Sequence, residues 1–317
     1  MKITVLDGYT LNPGDLDWGA MAAFGDLTVY DRTPADKTVE RAIGSEIVIT
    51  NKTVLDADAI SRLPELKYIG VLATGYNIVD VDAAASRGIV VTNIPSYSTM
   101  SVAQMAISLL LAIVQRVEHY ADENRKGRWS RSEDFCYTDF PLMELAGKRF
   151  GVVGFGHTGQ ATAKVASALG MKVGVFSSKP QTELPAGYDK MDMDTLFKES
   201  DVVSLHCPLT DTTRHLVDSR RIETMKPSAI LINTGRGPLI DEQAVADALR
   251  EGRIYAAGMD VLGTEPPAAD NPLLTAPRCF ITPHIAWATK EARVRLMDIA
   301  VGNVAAFLSG KPQNVVG

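Results

Sequence analysis

Three charged residues of the chain sit where chemistry could be done. Arg236 lies in Asn233-Thr234-Gly235-Arg236-Gly237, directly after the apolar run AILI. Glu265 lies in Thr264-Glu265-Pro266-Pro267, after Gly258-Met259-Asp260-Val261. His284 lies in Thr282-Pro283-His284-Ile285, after Cys279–Ile281. Each apolar run reads as a strand, and parallel sheets bind ligands outside the carboxyl ends of their strands. Hydride transfer to a 2-oxo acid needs such a set. A planar, permanently charged Arg grips a carboxylate and polarises the carbonyl. A His donates a proton near neutral pH. A carboxylate beside that His fixes its tautomer and favours the charged ring. Each residue alone has a plain structural alternative: a loop cap for Arg236, a surface acid before a Pro-Pro stop for Glu265, a satisfied buried imidazole for His284. Their joint occurrence at strand ends favours a site. The other histidines are weaker candidates. His119 falls in a helical pattern, His215 at a loop–helix junction, and His157 in a glycine turn where it contributes backbone. His206 follows a strand in HCPLT and reads as structural.

Upstream, Lys148 to Gly170 (KRFGVVGFGHTGQATAKVASALG) reads as strand, tight turn and helix. Gly154, Gly156 and Gly159 satisfy G-x-G-x-x-G. The first permits the turn, the second lets a pyrophosphate approach the backbone, and the third lets helix and strand pack closely. The N–H groups at the helix start then face the anion. A lone glycine match is weak; the strand before it and the helix after it are the confirming context. A dinucleotide is the expected cofactor. The next strand ends at Ser177, where an acidic residue would hold the ribose 2′-OH of NAD. The chain has Ser177-Ser178-Lys179 there. No carboxylate repels a 2′-phosphate, and Lys179 could pair with one. NADPH is expected to be accepted, with NADH left open.

Positioning these residues requires a particular set of elements. The 317 residues suggest about two domains. Lys2–Leu6, Glu46–Ile49, Leu66–Leu72 and Ile89–Thr92 read as strands, with helical segments Asp56–Arg62 and Val81–Arg87 between them. Strands spaced by helices predict an α/β fold with a parallel sheet. Met100 to Arg125 reads as one long helix, apolar in its first half, to be buried in a domain or against a second subunit. Gly127–Leu145 has no clear period and reads as a loop or arm. A second series follows: Arg149–Gly154, Lys172–Phe176, Asp201–Leu205, Ala229–Asn233, Ala257–Val261 and Cys279–Thr282. It supplies a complete nucleotide-binding domain. Thr289–Leu308 is again helical.

Composition narrows the function classes. The net charge is −6, with 46% hydrophobic and 22% charged residues, which excludes a disordered chain. Nothing marks a basic surface for nucleic acid. Cys136, Cys207 and Cys279 are odd in number and widely spaced, so neither a disulfide framework nor a metal site is expected. Asp7 interrupts what a signal peptide would need to be apolar. The longest apolar-rich run, Val102 to Val114, falls short of the ~20 residues of a membrane span. A soluble, cytoplasmic protein without a membrane partner is expected. The G-x-S-x-G, H-E-x-x-H and P-loop patterns are missing, which argues against serine hydrolase, zincin and kinase chemistry.

Taken together, GVVGFGHTGQ, HCPLT, LINTGRGPLIDE, AGMDVLGTEPP and ITPHIAWAT resemble the D-isomer-specific 2-hydroxyacid dehydrogenase family. The resemblance runs from Leu72-Ala73-Thr74-Gly75-Tyr76-Asn77 to Gly310-Lys311-Pro312. It implies that Arg236, Glu265 and His284 are the catalytic residues. It implies that backbone N–H groups of Thr74, Gly75 and Tyr76 hold the substrate carboxylate, with Trp287 also at the substrate. Cofactor contacts would come from His157, Thr158, Ser177, Cys207, Thr213, Thr234, Asp260 and Ala286, with Pro208, Gly235, Arg236 and His284 beside them. The implied architecture is a Rossmann-type doubly wound sheet, residues 98–287, inserted into a smaller flavodoxin-like α/β substrate domain, residues 1–97 and 288–317. The two crossings would form a hinge. A homodimer would form through the helix from Met100 and the arm around Trp129 and Phe135. Trp287 and the uncharged loop ATGYN resemble most the members that reduce hydroxypyruvate and glyoxylate to D-glycerate and glycolate, the glycerate dehydrogenases. The alternatives are a member acting on D-lactate or a bulkier D-2-hydroxy acid, and a non-enzymatic dinucleotide-sensing binding protein on the same fold. The chain departs from the family at Ser177, where an acid is usual, and at Gln104, where many members have Glu.

Overall fold

The computed structural model describes all 317 residues. It divides into two compact units, Met1–Ser98 with Ala288–Gly317, and Thr99–Trp287. In the first unit, β1 (Lys2–Val5), β2 (Asp26–Val29), β3 (Ile47–Thr50), β4 (Tyr68–Val71) and β5 (Val90–Thr92) form one sheet in the order β2-β1-β3-β4-β5. All its pairings are parallel. This is the flavodoxin-like order. The interior strands IVIT and YIGV are buried at every position, as expected of parallel strands covered on both faces. Edge strand β2, with the sequence DLTV, is only half-buried and carries no apolar run that could have announced it.

The chain returns to this unit through helix Lys290–Leu308. Phe307 packs on Tyr68 with ring centroids 4.8 Å apart. The mostly buried Arg293 guanidinium pairs with both Asp15 carboxylate oxygens, at 2.6 and 2.7 Å. Asn303 Nδ2 donates to the Asn93 carbonyl at 3.0 Å. Val315 then bridges to Thr92. These contacts commit the tail to the N-terminal sheet.

In the second unit, β6 (Arg149–Val153), β7 (Lys172–Phe176), β8 (Asp189–Lys190), β9 (Val202–Leu205), β10 (Ile230–Asn233), β11 (Ala256–Met259) and β12 (Cys279–Ile281) form a parallel sheet. Its order is β12-β11-β10-β9-β6-β7-β8, a doubly wound sheet that grows outward from β6 in both directions. Side chains alternate across it. Val153 and Leu231 enter one core with Leu196, Phe197 and Leu249. Their neighbours Val152 and Ile232 enter the other, with Leu110, Ile113 and Phe150.

The pattern from Met100 to Arg125 is not one helix. Helices Thr99–Gln115 and Val117–Arg125 meet at a 57° bend, with Arg116 left-handed at φ 52°. The Arg116 guanidinium lies over the rings of Phe140 and Phe280, 4.6 and 4.8 Å from their centroids. Two such contacts offset the ~1–2 kcal/mol cost of one left-handed residue. The first helix buries Ala106, Leu109, Leu110 and Ile113 within its own unit, and the second buries no residue. No single helix is long and apolar enough to cross a membrane. Residues 127–145 are irregular apart from a 3₁₀ turn at Trp129–Arg131. They are held by Asp139, which pairs with Arg128 and with His119 Nε2 at 2.7 Å.

Candidate active site

Because every strand of the second sheet runs the same way, all its carboxyl ends share one edge. The strand order therefore sets the order of side chains along that edge. Ser177 follows β7, Gly154 follows β6, Cys207 follows β9, and Arg236 follows β10. Asp260 and Glu265 follow β11, and His284 follows β12. Successive strands are about 4.8 Å apart.

The glycine turn is built as its spacing predicts. Gly154 has φ 93°, and a Cβ there would stand 2.5 Å from the Cys207 nitrogen. A Cβ on Gly159 would stand 2.1 Å from the Gly154 carbonyl oxygen. Gly156 caps helix His157–Ala168, and a Cβ there would meet nothing within 4 Å. That opening faces first-turn N–H groups that a helix cannot satisfy internally. At the end of β10, Thr234 Oγ1 is buried with no hydrogen-bond partner. A buried orphan hydroxyl calls for an outside partner. These residues fit a dinucleotide. Thr213, in contrast, uses its hydroxyl within its own loop: it donates to the Pro208 carbonyl and accepts from the Thr210 N–H, both at 2.7 Å. His206 Nε2 lies 2.8 Å from Ser204 Oγ, and burial pushes its imidazole down to about 4. It is a neutral, structural histidine. Burial pushes the Cys207 thiol up, which disfavours the thiolate.

His284 and Glu265 are in direct contact. His284 Nδ1 lies 2.5 Å from Glu265 Oε2, and Glu265 Oε1 accepts the Leu262 N–H at 3.0 Å. The carboxylate is thus held at both oxygens, and ring nitrogen Nε2 remains for a substrate. Both side chains are about one-third exposed. His284 has φ 53°, a strained region for a bulky residue. Asp260 holds it there. The Asp260 carbonyl accepts the His284 N–H at 2.8 Å. Its buried carboxylate accepts Thr282 Oγ1 (2.6 Å), Ile285 N–H (3.0 Å) and Ala286 N–H (2.9 Å). Burial holds that carboxyl above its ordinary range, against the pull of these donors. The Ala286 carbonyl in turn accepts Ser101 Oγ at 2.5 Å.

Arg236 stands apart from that pair. Its side chain is exposed, and its guanidinium donates to the Gly235 carbonyl at 2.8 Å. No carboxylate neutralises it. Fully buried Asn233 builds the turn beneath it: Oδ1 accepts the Gly235 N–H at 3.0 Å, and Nδ2 donates to the Arg236 carbonyl at 2.8 Å.

In the first unit, taken by itself, the loop Thr74–Gly75–Tyr76 follows β4. Thr74 Oγ1 donates to the Ile94 carbonyl, and its own carbonyl accepts Asn93 Nδ2, both at 2.8 Å. Asp7, at the end of β1, accepts the N–H groups of Asn51, Lys52 and Thr53 at 2.7, 2.6 and 2.8 Å.

The sequence pattern of the D-isomer specific 2-hydroxyacid dehydrogenase NAD binding domain matches residues 107–286. A hydroxypyruvate reductase from Blautia hydrogenotrophica is 49% identical over 100% of this chain and 99% of its own. This chain belongs to the D-isomer specific 2-hydroxyacid dehydrogenase family. As a dehydrogenase of that family it acts on a CH–OH group with a nicotinamide cofactor. It is also similar to a glycerate dehydrogenase from Methylorubrum extorquens, with 44% identity over 89% of this chain and 88% of the relative. A solved acyclic imino acid reductase in complex with NADPH and D-Arg shares the fold at TM-score 0.86, with 32% identity and 100% of both chains covered.

Two residues of this dehydrogenase escaped the sequence reading as builders of the site. Asn233 had a signal, an Asx residue two positions before a glycine in a turn. Asp260 was expected at the cofactor, and only the fold shows both its oxygens turned onto the His284 loop. Within the first unit, the hold of Asp7 on the 51–53 loop had no local signal either, since its partners lie 44 to 46 residues away.

Proposed function

We propose that this dehydrogenase reduces hydroxypyruvate and glyoxylate to D-glycerate and glycolate. The observation that carries the proposal is the His284–Glu265 contact on the same sheet edge as the dinucleotide turn. The full-length likeness to a hydroxypyruvate reductase and a glycerate dehydrogenase supports the choice of substrates. A reduced nicotinamide, when bound, supplies hydride to the substrate C2. Gly154, Gly156, Thr158, Gly159 and Thr234 would hold the cofactor. Arg236 presents two parallel N–H donors to the substrate carboxylate and carbonyl, and draws charge onto the carbonyl oxygen. By the family resemblance, the backbone N–H groups of Thr74, Gly75 and Tyr76 are proposed for a substrate carboxylate, and Trp287 for the substrate. His284 Nε2 delivers the proton to the carbonyl oxygen. Glu265 fixes the tautomer through Nδ1 and compensates the ring's positive charge before transfer.

NADPH is proposed as an accepted cofactor, supported by the uncharged and basic turn Ser177-Ser178-Lys179. A homodimer is proposed through the second helix and the arm, where Val117, Trp129 and Phe135 are 69, 55 and 89% exposed. Exposed large apolar side chains are candidates for contact surfaces. Light scattering at micromolar concentration should give twice the chain mass; a monomer counts against it. The cytoplasm is the proposed location, in keeping with three unpaired cysteines.

The deciding experiment is a matrix of NADH and NADPH against hydroxypyruvate, glyoxylate, pyruvate and phenylpyruvate. The highest kcat/KM should fall on hydroxypyruvate or glyoxylate. A maximum on pyruvate or phenylpyruvate moves the chain to another member of the family. Dinucleotide binding without turnover of any acid overturns the enzymatic reading.

A further inference from the structure

The turn after β7 contains a second cation that comes from the neighbouring strand. Lys190 ends β8 and stands in register with Val175 of β7. Its Nζ donates to the Lys179 carbonyl, so the ammonium lies within the Ser177–Lys179 turn itself. The turn is pre-formed. The Lys179 N–H donates to Ser177 Oγ at 3.1 Å, which leaves the Ser177 O–H as a donor. Gln181 ties the turn to β8 from the other side: its Nε2 donates to the Tyr188 carbonyl at 2.8 Å, and its Oε1 accepts the Lys190 N–H at 2.7 Å.

No acid of this segment pairs with either lysine. Asp189 points to the opposite face of β8 and pairs with Arg149 at 2.9 Å. Asp192 accepts the Thr195 N–H at 2.9 Å as a helix cap. Glu183, in the 3₁₀ turn Gln181–Glu183, pairs with neither lysine. Lys179 and Lys190 are therefore two cations without a carboxylate. An ammonium has three donors, and Lys190 commits one of them to the Lys179 carbonyl. In a doubly wound sheet this turn is where the adenine ribose 2′ position lies, and a cation there accommodates a 2′-phosphate.

We propose that Lys190 is the second cation of a 2′-phosphate seat formed with Ser177, Ser178 and Lys179, and so supports the use of NADPH. The assignment rests on the proposed use of NADPH. The seat pairs a dianion with two ammonium groups and two hydroxyls.

The test is calorimetric titration of the full-length enzyme with adenosine 2′,5′-bisphosphate and with 5′-AMP, which differ only by that phosphate. Wild type should bind the bisphosphate more tightly, and added salt should shrink the difference. Lys190→Gln removes the charge and keeps a polar side chain. It should weaken the bisphosphate about tenfold and leave 5′-AMP binding as in wild type. Lys190→Arg keeps the charge and should retain most of the bisphosphate affinity, while the unchanged 5′-AMP binding separates a phosphate contact from a structural one. If Lys190→Gln keeps the full bisphosphate preference, the Lys190 assignment falls while the NADPH reading stands. If wild type binds both nucleotides equally, the NADPH reading falls and takes Lys190 with it. If Lys190→Gln weakens both nucleotides equally, Lys190 only shapes the turn and the proposal is overturned.

Discussion

His284 Nδ1 and Glu265 Oε2 stand 2.5 Å apart, across nineteen residues of sequence and from the ends of two adjacent strands. The contact leaves Nε2 as the ring atom that can meet a substrate. His284→Ala should lower kcat by about 10²- to 10⁴-fold, the range of a lost general acid. Glu265→Gln should lower it less, because a neutral amide can orient the ring and cannot compensate its charge. Steady-state kinetics check both, and wild-type turnover in His284→Ala would refute the role.

Arg236 carries a planar fork with no carboxylate to neutralise it. Arg236→Lys keeps the charge and loses the paired donors. KM for the oxo acid should rise at least tenfold and kcat should fall. Unchanged values of both would remove Arg236 from the substrate.

Two glycines of one motif should fail in different ways. A Cβ at Gly156 meets nothing, whereas one at Gly159 runs into the Gly154 carbonyl at 2.1 Å. Gly156→Ala should shift Tm by less than about 2 °C and raise the cofactor KM. Gly159→Ala should cost about 1–3 kcal/mol or more by overpacking. Thermal melts and cofactor titrations separate the two.

Asp260 accepts three side-chain or backbone donors around the His284 loop. Asp260→Ala strands them in a buried place, at about 2–4 kcal/mol of stability. It also frees His284 from its left-handed conformation, so kcat should fall with stability. Urea unfolding followed by kinetics under folding conditions tests this; a variant with wild-type stability contradicts the clamp.

Acid sensitivity should trace in part to His206. Its folded value near 4 lies below the ordinary 6.5, so on acidification the unfolded chain binds the proton first. The stability this contributes is complete above about pH 6.5 and is lost as pH falls toward 4, up to about 3 kcal/mol. Denaturant midpoints at pH 7 and pH 4.5 should differ less in His206→Gln than in wild type.

Much of this was legible in the residues because the signals are local. The buried strands of the second sheet are continuous apolar runs, the three glycines have fixed jobs, and Arg236, Glu265 and His284 each follow a run that reads as a strand. The edge strands β2 and β8 were not legible: one is half-buried and the other has only two residues. The helical period from Met100 to Arg125 concealed the break at Arg116, because the aromatic rings that hold its guanidinium, Phe140 and Phe280, lie 24 and 164 positions away.

Sequence alone determined which residue types stand at strand ends, and so what chemistry was available. Tertiary structure decided which of them meet. Parallel strand order placed His284 beside Glu265, turned the Asp260 carboxylate inward, left Arg236 without a carboxylate partner, and brought Lys190 across from the next strand to Lys179. Local periodicity records how one segment buries its own face. Contacts between strand ends depend on the order in which distant segments pair, and that order arises only when the whole sheet closes its two cores.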